Sequence, residues 1–97
     1  WATQTSSEVR LHRLGKHRQL EGLVTDGTKN TTVFTLLAKD RPANDLLFAS
    51  VIDASPYTAI VNVTASGAVQ VSLPGYAGAT VTSSDSVTLS GISWYVD

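Results

Sequence analysis

Runs rich in Val, Thr, Ile and Leu recur between turn-forming residues along the whole chain, at the roughly 8 to 12 residue spacing of the strands in a sandwich or barrel. No stretch carries a convincing helical period. Val9 to Leu14 begins by alternation, Val9 and Leu11 against Arg10 and His12, then passes through Gly15-Lys16-His17-Arg18 into Gln19 to Thr25. That pattern predicts a hairpin with a basic loop. Asp26-Gly27 follows, two residues that tolerate positive φ, and predicts a turn from which Thr31 to Leu37 returns as a strand. Arg41-Pro42 breaks pairing because proline has no N–H to donate, so residues 38 to 45 read as a loop.

Leu46 to Ile52 and Tyr57 to Thr64 predict two further strands across Asp53-Ala-Ser-Pro56, and Ser66-Gly67 a tight turn into Ala68 to Leu73. Pro74-Gly-Tyr-Ala-Gly78 is a second loop. The closing segment has an irregularity: Val87 and Leu89 share one strand face, whereas Ile92, Trp94 and Val96 fall on the other. Either a bulge at Gly91 repairs the register, or both faces are buried, one by the core and one by a neighbouring subunit. Leu23 beside Leu20, Gly22 and Val24 poses the same problem. Two segments with two apolar faces favour an oligomer.

Composition sharpens this picture. Ninety-seven residues form one domain, 1–97, with 1–7 as a leader, and the absence of methionine even at Trp1 suggests the carboxy-terminal part of a longer protein. Only 15% of residues are charged, against roughly 25% in ordinary soluble domains, which suggests surface hidden against other subunits. All seven Lys and Arg lie at or before Arg41, so the halves carry +3 and −4. Such an imbalance suits head-to-tail packing of identical subunits.

Candidate chemistry is sparse. With no cysteine, disulfides, thiolate metal sites and cysteine nucleophiles are excluded. His12 and His17 are five apart, which matches no standard metal spacing. Asp40, Asp45, Asp53 and Asp85 sit in apparent loops, where aspartate favours turns, and no Ser/His/Asp set can be nominated; an enzyme is not expected, nor a cofactor. Arg10, His12, Arg13, Lys16, His17 and Arg18 form a basic cluster, yet no aromatic interleaves it and the chain is net −1, unlike a nucleic-acid surface. A solvated hairpin or an intersubunit salt-bridge surface accounts for it better. Leu23, Arg10, Arg13 and Tyr95 are the interface candidates. Trp94 shares parity with Ile92 and Val96 and reads as core, whereas Tyr76, Tyr57 and Asp45 are the candidate ligand contacts, Tyr76 foremost as an exposed aromatic in a loop.

Phe34-Thr-Leu-Leu-Ala-Lys-Asp-Arg-Pro-Ala43 resembles the "aromatic, Thr, Leu, Pro, x, Gly, Tyr, Arg, Pro" segment of the carboxy-terminal domains of tailed-phage tail fibres and receptor-binding proteins, with Leu37, Lys39 and Asp40 in the Pro, Gly and Tyr places. Arg13 to Val24 resembles the first core strands of that family, and Val87 to Trp94 its closing "Leu-Ser-Gly-Ile-Ser-aromatic" strand. The resemblance implies an all-β, antiparallel, jelly-roll-like β-sandwich in a homotrimer at the virion surface. It further implies a tip domain that attaches to host cell-surface glycan, without membrane insertion. The alternatives are a trimeric capsid decoration or head-fibre protein with a structural role, and a carbohydrate-binding module of a cell-wall hydrolase.

Overall fold

The computed structural model describes residues 1–3, 8–28, 30–52, 58–74, 81 and 85–97. The fold is all-β with antiparallel pairing. Its strands are β1 (Ala2–Thr3), β2 (Arg10–Leu14), β3 (His17–Glu21), β4 (Leu23–Thr25), β5 (Thr31–Thr35), β6 (Leu46–Val51), β7 (Thr58–Val63), β8 (Ala68–Ser72), β9 (Val87–Thr88) and β10 (Ser93–Tyr95). They form sheets of order β1-β4-β9, β10-β3-β2 and β5-β8-β7-β6. A single bridge, Ile52 to Val87, ties the end of β6 to β9, and the Ser50 hydroxyl donates to the Thr88 carbonyl beside it.

The β2–β3 hairpin is tighter than the sequence suggested. Leu14 pairs with His17, so the loop is Gly15-Lys16 alone. Gly15 has φ +60°, as the first position of a type II′ turn demands. His17 and Arg18 are therefore strand residues, and their side chains take opposite faces.

The parity switch near the carboxy terminus is resolved by a bulge. Leu23 pairs with Thr88 and Gln19 with Ser93, so residues 20–22 of one strand oppose residues 89–92 of the other, one residue longer. Both sides bend there, with Gly22 at φ +115° and Gly91 at φ +87°. The two are stitched by Leu89 N–H to the Gly22 carbonyl at 2.8 Å and Gly22 N–H to the Ser90 hydroxyl at 3.0 Å. Because one extra residue inverts parity, Val87, Leu89, Ile92 and Trp94 are all buried in the same chain. The double apolar face of this segment thus needs no second subunit.

One core lies beneath the sheets. Val61, Val63, Val69 and Val71 project inward from β7 and β8 and meet Leu20, Val24, Ile52, Leu89, Ile92 and Trp94. Full burial of a branched aliphatic side chain contributes about 1.5–3 kcal/mol, so this valine lattice is the main hydrophobic stabilisation of the four-stranded sheet.

Three further expectations are corrected. The strand after Asp26-Gly27 does not return on its predecessor, because β4 pairs with β1 and β9 while β5 pairs with β8. Asp26 does take positive φ, 55°, but the turn sends the chain into another sheet. Trp1 to Thr3, read as leader, belong to the domain: β1 pairs with β4, and the Trp1 indole N–H donates to the Thr31 hydroxyl at 3.1 Å. The 38–45 loop contains one 3₁₀ turn, Ala38–Asp40.

Candidate functional site

The most constrained polar cluster is built around Asp40, which the sequence reading placed in a turn-forming role. The 3₁₀ turn instead points its carboxylate inward, where it is 1% exposed. Arg13 grips it with two parallel bonds, Nε to Oδ1 at 2.7 Å and Nη2 to Oδ2 at 2.6 Å, and Arg18 Nε donates to Oδ1 at 2.7 Å. The turn is held from behind as well, since the Trp94 indole N–H donates to the Asp40 carbonyl at 2.8 Å. Arg18, itself buried, places Nη1 on the carbonyls of Gly15 and His17. The fork geometry of guanidinium matches a carboxylate bidentately, so the basic hairpin is clamped onto the Ala38–Asp40 turn.

This pairing draws the Asp40 pKa down from 3.8 to about 2. The Arg13 hydrogen bonds are the largest cause; burial opposes them, and the bond from Arg18 with both positive charges adds to the lowering. The same contact raises Arg13. A carboxylate whose folded value lies below its unfolded one stabilises the fold above the unfolded value and loses that contribution as pH falls through the folded one. The span from 3.8 to about 2 corresponds to about 2 kcal/mol. We expect stability measured by denaturant midpoint to decline between about pH 4 and pH 2, and the decline to be smaller in Asp40→Asn; an unchanged acid limb in that variant would contradict the assignment.

Beside the clamp an open groove of about 390 Å³ runs between the segment Pro42 to Phe48 and β10, with Trp94 and Phe48 among its walls and Asn44, Ser93 and Tyr95 as its polar groups. It opens because β6 and β9 pair at Ile52 and Val87 but the Ser90-Gly91 bend steers β10 away from β6. Leu20 N–H bonds the Ile92 carbonyl and Val96 N–H the Lys16 carbonyl. Since peptide groups alternate sides along a strand, those of Ser93 and Tyr95 are turned away from β3, on the groove side. Tyr95 is 74% exposed and rests against His17, ring centroids 5.0 Å apart.

The residues selected from sequence that the structure describes are scattered. Tyr57 and Tyr76 lie outside the described residues. Asp45 is exposed and accepts the Ala65 N–H at 2.8 Å, so it braces the β7–β8 turn. Of the interface candidates, Arg10 is exposed beside Glu8 at 3.6 Å, Leu23 is half-buried, and Arg13 is committed within the chain to Asp40. His12 reaches Glu21 at 2.5 Å across the β2–β3 pair. Among the described residues no group of three or more metal-ligating side chains converges. The sequence did hold a signal for the clamp: Arg13 shares parity with Leu11 and Arg18 with Leu20, so both cations point inward and require an anion.

No protein-family model, curated protein or solved structure matches this chain.

Proposed function

We propose that this chain is the carboxy-terminal β-sandwich, jelly-roll-like domain of a tailed-phage tail fibre or receptor-binding protein, a homotrimer on the virion that attaches to a host surface glycan. The observation that carries the reading is the groove between Pro42–Phe48 and β10, flanked by the exposed ring of Tyr95. A sugar presents apolar C–H faces and rims of hydroxyls. An aromatic platform with uncharged hydrogen-bonding groups and outward-turned peptide units suits it. The groove follows the Phe34 to Pro42 segment on which the resemblance rests, and the clamp at Asp40 holds both its walls in place.

Exposed aromatic anchors typically carry about 2 kcal/mol or more of a binding energy, so Tyr95→Ala is expected to weaken retention on host cells or on a glycan array by about 30-fold. Equal binding by wild type and variant would remove Tyr95 from the contact. Binding to empty capsids in place of cells would favour the decoration-protein reading, which the uncharged outer face of the β5-β8-β7-β6 sheet also supports. Binding to purified cell wall alone would favour the hydrolase module.

A further inference from the structure

Not one residue of β5, β6, β7 or β8 is charged. For the inward positions this is ordinary, but the outward positions are neutral too. Registers Leu47 to Asn62 to Gln70 and Ala49 to Ile60 to Ser72 define that outer face, on which Leu47 is 72% and Val51 62% exposed. The face continues past β6. Val51 joins Leu23, Ser86 and Thr88 around a shallow depression of about 200 Å³, reached across the Ile52 to Val87 bridge. The outer face of the β10-β3-β2 sheet is the opposite in kind, carrying Arg10, His12, His17 and Glu21.

We propose that the neutral face spanning β8, β7, β6 and β9 is where a second copy of this chain packs, with Leu47, Ala49 and Val51 at its centre. The occupant follows from charge. A face packed around the symmetry axis of a closed assembly lies close to its own copies, so any charge there meets its like. A face without charge is the composition that self-association requires, whereas a charged partner would find no complement on it. Interface centres are depleted of charge in the same way. Three strands of five or six residues and the two residues of β9, about 4.8 Å apart with ~3.3 Å per residue, present on the order of 300 Å² in projection. Accessible area exceeds projected area, which brings the patch toward the roughly 800 Å² that one partner contributes to a standard interface. The depression at Leu23, Val51 and Thr88 offers a socket for a side chain of the neighbouring copy. Leu47 also lines the groove that Tyr95 flanks, so the packing face meets the groove along β6.

The inference rests on the assembled state proposed above and names the surface that makes it. Leu47 and Val51 are exposed, so lysine at either position is compatible with the fold of one chain. Mass by light scattering across a concentration series is the measurement, with circular dichroism to show that each variant is folded. Wild type is expected to be oligomeric and the doubly substituted Leu47→Lys/Val51→Lys chain monomeric, because like charges brought together weaken association by several kcal/mol, more than about 100-fold. Leu14→Lys/Tyr95→Lys, which alters the exposed apolar side chains of the other sheet, is expected to leave the mass unchanged. The chain lacks cysteine, so Ala49→Cys carries one label, and labels on different copies are expected to lie close together. An oligomer broken by the Leu14/Tyr95 pair and not by the Leu47/Val51 pair would overturn the surface and leave the assembly standing. A monomeric wild type would overturn both.

Discussion

Replacement of Asp40 by alanine is expected to cost about 3–5 kcal/mol, the range for removing one partner of a buried ion pair. The cause is what remains. Arg13, at 41% side-chain exposure, can swing into water, but Arg18 is 8% exposed and stays buried with only carbonyl acceptors. A small domain has about 5–15 kcal/mol of stability in total, and each kcal/mol moves the melting temperature of such a domain by about 4–8 °C. The variant should therefore melt at least ~12 °C lower or fail to fold at growth temperature. Replacing the stranded cation as well, in Asp40→Ala/Arg18→Met, should recover part of the loss, since an apolar pair of similar volume is often as stable as a buried salt bridge. A single variant melting within a degree or two of wild type would show that the clamp contributes nothing net.

Gly22→Ala is expected to be of similar severity for a different reason. Gly22 combines φ +115° with no room: a Cβ there would fall 2.6 Å from the Glu8 carbonyl oxygen and 2.7 Å from the Val9 Cα, both backbone atoms. Backbone strain of about 1–3 kcal/mol adds to overpacking of about 1–3 kcal/mol. Gly91→Ala separates the two contributions, because Gly91 has φ +87° but nothing within 4 Å of a built Cβ. The denaturant midpoint of Gly22→Ala should fall well below that of Gly91→Ala. Equal midpoints would mean that the Glu8–Val9 segment moves aside at little cost, and the close approach of β2's lead-in to the bulge would lose its structural weight.

Both predictions concern contacts between distant parts of the chain, and this marks where sequence reading stopped. The strands were legible wherever alternation and a turn signal coincided: Leu46 to Ile52 against Tyr57 to Thr64, and Ser66-Gly67 leading into Ala68 to Leu73, correspond to β6, β7 and β8. The burial of Trp94 was legible too, and the parity switch at Ser90-Gly91 was visible, but its resolution by a bulge stood beside a second buried face, which the sequence favoured and the register overturns. Strand partners were not. Asp26-Gly27 looked like a hairpin turn because both residues accept positive φ, and one of them does, yet β4 found β9 and β5 found β8. A turn fixes the direction of the chain; which edge it meets depends on where the core closes.

The candidate site divides along the same line. Sequence alone determined an all-β chain without thiol chemistry, most of its strands and its inward aromatic, because each follows from residue type and a period of two; Arg13 and Arg18 read there only as members of a solvated or intersubunit basic cluster. Only the tertiary structure decided that Asp40 is their counter-ion across 27 and 22 residues, that β10 parts from β6 to open a groove beside Tyr95, and that the neutral positions of β6, β7 and β8 form one continuous face with Leu23. Those outcomes depend on long-range register. A single inserted residue at Ser90-Gly91 resets that register, and local propensity does not encode what the reset brings together.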